Sequence, residues 1–162
     1  MTEARLELAL LTFQEGDASG AVATYATILE AQPNHPRALN DSAWILSESL
    51  RDYKKALELA DRGVAAAPDD DHLRDTRGAI LSKLGRLQDA LKDFEKFAQL
   101  NPPDGPRRAK ALLQMGRTCA KLKDSAQAKK HLDEALRIDR EKNVFSPQER
   151  AEVNQVLLSL RS

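Results

Sequence analysis

The chain has 162 residues with 25 Lys/Arg against 25 Asp/Glu, 41% apolar content and only 4% aromatics, so its core must be built mainly from Leu and Ala, which favours an all-helical protein. No stretch approaches roughly eighteen consecutive apolar residues, and Glu3, Arg5 and Glu7 interrupt the place where a signal peptide needs an apolar run, so neither a membrane span nor a leader is expected. A lone Cys119 offers no internal disulfide and three scattered histidines offer no metal-ligand spacing, which makes a reducing, cytoplasmic setting the expectation and leaves no cofactor site.

In chain order, a first segment (2–35) carries Ala9, Gly16, Ala21, Tyr25 and Pro33. Its first helix is apolar nearly all round, with Leu6, Leu8, Leu10, Leu11 and Phe13, which suggests a buried partner on its outer side. A second segment (36–69) repeats the pattern with Ala43, Leu46, Tyr53, Ala56 and Pro68. Counting back from Ala56 puts Trp44 in the small-residue slot, whereas one extra residue in the turn at 49–51 puts Ala43 there. The insertion is preferred, because a Trp does not fit a close helix crossing. The third segment (70–104) is the cleanest, with Gly78, Leu81, Gly85, Leu87, Ala90, Phe94 and Pro102, and Gly85 is placed to end a helix in a left-handed cap. The acidic run 69–71 reads as helix capping after Pro68. A fourth segment (109–140) has Met115, Gly116, Cys119, Ala128, Leu132 and Ala135, with Arg140 where a closing Pro is due and extra residues at 105–108 before it. Finally, Ser146 and Glu149 have capping-box spacing around Pro147, and Val153, Val156, Leu157 and Leu160 then recur at helical intervals, predicting a helix over 146–161 that covers the end of the stack.

The closing prolines Pro33, Pro68 and Pro102 are 35 and 34 residues apart, as are Ala21, Ala56 and Ala90. A two-helix unit this short cannot bury its apolar face alone and must stack on its neighbours. The small, large, Ala, aromatic and Pro pattern resembles the tetratricopeptide repeat over residues 2–140. That resemblance implies a right-handed α-solenoid of four helix-turn-helix repeats plus a C-terminal capping helix, acting as a non-enzymatic scaffold whose concave groove, lined by the first helix of each repeat, holds a partner segment.

Carried onto this chain, the groove implied by the resemblance includes Arg37, Asn40, Trp44 and His72 in the second and third repeats, and Lys110, Gln114, Arg117 and Lys121 in the fourth. The family's clamp for chaperone carboxylates is missing, since its slots hold Leu6, Leu10, Asp41, His72 and Thr76. Trp44 reads either as an aromatic anchor or as packing between adjacent helices. Lys110, Arg117 and Lys121 form a basic stripe with Gln114, either a grip for an acidic partner segment or a solvated face. No phosphate-binding loop, HExxH motif or nucleophile with a base is present, so no catalysis is expected. Asp41, Glu48 and Asp75 argue against a nucleic-acid reader. An alternative function is self-association, as a homodimer through Leu6, Leu10 and Phe13, encouraged by charge asymmetry: residues 1–81 carry 8 Lys/Arg against 14 Asp/Glu, and residues 82–162 carry 17 against 11.

Overall fold

The structure, a computed structural model, describes residues 1–160. Among these residues there are nine helices and no strand: α1 (Thr2–Gln14), α2 (Ala18–Ala31), α3 (Pro36–Glu48), α4 (Tyr53–Ala66), α5 (Asp71–Lys83), α6 (Leu87–Gln99), α7 (Pro106–Lys121), α8 (Ser125–Lys142) and α9 (Pro147–Ser159). The turns that follow α1, α3, α5 and α7 share one local design. Each contains a residue at positive φ, namely Gly16 (93°), Arg51 (55°), Gly85 (75°) and Lys123 (61°). The next residue caps the following helix, and in three of the four turns it is an aspartate whose carboxylate accepts a backbone N–H: Asp17 from Gly20, Asp52 from Lys55 and Asp124 from Gln127. Glycine meets no steric penalty in the left-handed region, whereas Arg51 and Lys123 are held there by the helices on either side.

The chain divides into two compact units, Met1–Leu84 with α1 to α5 and Gly85–Ser162 with α6 to α9. The division falls inside the segment read from sequence as the third repeat. In the first unit α1 packs on α2, α3 on α2 and α4, and α5 on α3 and α4. Alanines sit at the close approaches: Ala9, Ala21, Ala43, Ala56 and Ala60 are fully buried, and Tyr25, Ile28, Ile45, Leu46 and Ile80 fill the space around them. Ala43 occupies the crossing and Trp44 is displaced outward, 44% exposed, as the inserted turn residue requires.

In the second unit α7 packs on α6 and α8, with Phe94, Phe97, Leu112, Leu113, Leu132 and Ile138 buried. Residues 106–108, read from sequence as extra residues before the fourth segment, form the first turn of α7. Gly105 is the N-cap and Pro106 takes the first helical position, where its missing N–H costs nothing. With Arg140 in place of a proline, α8 runs on to Lys142 and ends at Asn143 in a left-handed conformation (φ 52°). The final helix packs on both α7 and α8 and buries Val153. Its capping box is complete: the Glu149 N–H donates to Ser146 Oγ at 3.2 Å, and the Ser146 N–H to Glu149 Oε2 at 2.8 Å. Arg161, expected as the end of this helix, lies outside the described residues. Ser146→Ala should cost about 1 kcal/mol, read as faster amide exchange in the first turn of α9 with the rest of the unit unchanged.

Candidate functional site

The first helices of the hairpins carry every residue singled out from sequence, and within each unit these side chains can be followed by distance. In the first unit, Arg37, Asn40 and His72 come together. With His35, Pro36, Asp41 and Asp70 they line a cavity of about 480 Å³ at the starts of α3 and α5. His35 and Asp70 are the N-caps of these helices, which fixes both ends of the cavity: His35 Nδ1 accepts from the Ala38 N–H, and Asp70 Oδ1 from those of His72 and Leu73. The cavity's polar groups are already joined in a network. Tyr25 Oη donates to Asp41 Oδ2 at 3.2 Å, Asn40 Nδ2 to Asp41 Oδ1 at 3.1 Å, and Thr76 Oγ1 to Asn40 Oδ1 at 2.8 Å. Burial, reinforced by the neighbouring Asp41 carboxylate, pushes the Tyr25 phenol up to about 12, so it remains a neutral donor. Arg37 is shared between Glu3 of α1 (3.4 Å) and Asp41 (3.5 Å).

Two turns further along α3, Trp44 stands edge-on to Phe13 of α1, with ring centroids 5.5 Å apart and an interplanar angle of 80°. Trp44 thus packs between adjacent helices and still presents 44% of its surface to solvent. Leu10 of α1, at the i−3 position from Phe13, is 40% exposed. Beyond the aromatic pair, Glu48 of α3 accepts from Lys83 Nζ of α5 at 2.6 Å. Leu6, grouped with Leu10 and Phe13 from sequence, is instead core, because it points between α1 and its neighbours. Leu8 and Leu11 are more than half exposed, so the outer side of α1 stays apolar and open.

The second unit holds Lys110, Gln114, Arg117 and Lys121 on α7. Its basic stripe already has an acidic occupant within the chain. Lys110 Nζ donates to Glu149 Oε1 at 2.6 Å and lies 5.2 Å from the centre of the Phe145 ring, and Arg117 donates to Glu152. Glu149 and Glu152 are one helical turn apart on α9, so two carboxylates engage two cations from one face. Burial raises the Glu149 carboxyl, but hydrogen bonds from Lys110 and Ser146 outweigh it and hold the group below its ordinary range. The helix is latched from behind by Asp139 of α8, which is 3% exposed. Its carboxylate accepts from Arg150 Nε (2.6 Å), Arg150 Nη2 (3.0 Å) and the Phe145 N–H (2.7 Å). Sequence reasoning missed these α9 partners, although the paired spacing of the two glutamates was a signal that could have pointed to them.

Among the described residues these hairpins form an all-α helical-repeat solenoid. Family models described as tetratricopeptide repeat match residues 43–115, 6–71 and 109–142, and the chain belongs to the tetratricopeptide repeat family. Its fold is similar to that of pilF from Pseudomonas aeruginosa (TM-score 0.82, 22% identity, 99% of this chain and 69% of that one). It is also similar to MamA residues 41–end from Desulfovibrio magneticus RS-1 (TM-score 0.77, 22% identity, 88% and 77%). A third neighbour is a tetratricopeptide repeat protein from Parabacteroides merdae (TM-score 0.78, 19% identity, 99% and 60%). At these identities the likeness is one of fold. No curated protein matches the sequence.

Proposed function

We propose that this chain is a non-catalytic protein-interaction scaffold that holds a segment of another protein on the first-helix face of its N-terminal unit. The observation that carries this reading is the Phe13–Trp44 pair, whose indole is 44% exposed beside the 40% exposed Leu10. Arg37, Asn40 and His72 supply a polar cavity at the start of the same helices. In the second unit, Lys110 and Arg117 suit an acidic segment only once α9 is displaced, because Glu149 and Glu152 already occupy them. Cytoplasmic residence belongs to the same proposal, supported by the single, buried thiol of Cys119. No helix in the described residues is long and apolar enough to cross a membrane.

An interacting protein captured from native lysate by the wild-type chain should be lost with Trp44→Ala, at a cost of about 2 kcal/mol seen mainly as faster dissociation in surface plasmon resonance. Wild-type dissociation in that variant would exclude the aromatic pair. A second reading, self-association, is favoured by the exposed Leu8, Leu10 and Leu11 of α1. Light scattering coupled to size exclusion decides it, since a homodimer would double the mass of the 18.0 kDa chain.

A further inference from the structure

The charges around the aromatic pair specify the partner's chemistry. Both cations on this face are already bonded to carboxylates of the same unit, Arg37 to Glu3 and Asp41, and Lys83 to Glu48. Glu7 is exposed on α1, four residues after Glu3 and three before Leu10, and so lies on the same side of the helix as both. The unit as a whole (1–84) has nine Lys/Arg against fourteen Asp/Glu, a net charge of −5. An acidic segment approaching Trp44 would meet internally neutralised cations and surplus carboxylates, and would have to break an existing ion pair for each new one it formed. A basic segment would gain the Glu7 carboxylate while leaving the existing pairs in place.

We infer that the surface formed by Leu10, Phe13 and Trp44 takes a basic, apolar segment of a partner protein: one or more large apolar side chains seated on the aromatic pair, flanked by a Lys or Arg that faces the exposed carboxylate of Glu7. The inference rests on the proposed docking role of this face and names the partner class for it. It reverses the acidic preference suggested by the Lys110–Arg117 stripe, whose charges α9 satisfies.

The test uses the full chain and two synthetic twelve-residue peptides with the same leucine-containing apolar centre, one flanked by lysines and the other by glutamates. Trp44 is the only tryptophan, so its fluorescence reports binding at this place alone. The lysine-flanked peptide should shift the emission and bind about tenfold more tightly than its counterpart, with a difference that shrinks as salt is raised from low to physiological ionic strength. Glu7→Lys, an exposed substitution that leaves the core intact, should remove most of that preference without changing the circular dichroism. Equal binding of both peptides, or tighter binding of the glutamate-flanked one, would overturn the basic preference while leaving the docking reading in place. If neither peptide perturbs Trp44 and the variant Trp44→Ala still retains the lysate partner, the docking reading itself is wrong and the inference goes with it.

Discussion

Asp139→Ala should destabilise the C-terminal unit by about 3 kcal/mol and release α9. That is the low end of the range for breaking a buried ion pair, because Arg150, the partner left behind, can still reach water. Asp139 is buried and receives three donors, two from Arg150 and one from the Phe145 backbone, so removing it also leaves a buried N–H without an acceptor. Amide exchange across 144–159 should accelerate far more than in α6 or α7, and Lys110 and Arg117 should become available to added anions. Acid should produce the same release without mutation. Hydrogen bonds from Arg150 hold the Asp139 carboxyl below its ordinary range despite burial, so its contribution is complete above the unfolded value of roughly 4 and is lost as pH falls through the folded one. Glu149, also lowered, acts in the same direction. Uniform exchange rates in the variant, or an α9 that stays docked well below pH 4, would show that the latch does not hold this helix.

Gly116→Leu should lower stability by about 3 kcal/mol, at the upper end of overpacking effects, with a fall in Tm on the order of 10 °C. A Cβ at position 116 would lie 2.5 Å from both Cδ2 and Cγ of Leu132, and 3.3 Å from the Ala128 carbonyl oxygen. Leu132 is fully buried and α8 lies directly behind it, so the ring of contacts has nowhere to relax. Gly116→Ala separates crowding from propensity, since alanine in a helix interior is otherwise worth about 1 kcal/mol over glycine. Both variants should melt below wild type in thermal circular dichroism. An alanine variant as stable as the parent would mean that α7 and α8 do not approach as closely as described.

Much of the chain's local architecture is written in short-range chemistry. Gly85 needs the left-handed region, Ser146 and Glu149 cap each other across three residues, and Ala43 rather than Trp44 fits a close crossing. Each of these is decided by atoms within a turn or two, so the residue types alone specify them. The turn at Arg51 and the first turn of α7 were less legible, because an arginine at positive φ and a helix started by Pro106 depend on what flanking helices impose.

The 34- to 35-residue period, the small residues at the crossings and the capping signals determined from sequence alone that the chain is a stack of helical hairpins. Which charges remain open on that stack was decided only by tertiary structure. Lys110 meets Glu149 across 39 residues and Arg117 meets Glu152 across 35, while Arg37 and Lys83 find their carboxylates on the preceding first helices. A periodic pattern fixes where a side chain points on its own helix, but ion pairing depends on the separation and register of helices distant in sequence. Lys110 and Arg117 therefore read as open cations in one dimension and, once α9 is folded against them, as paired ones in three.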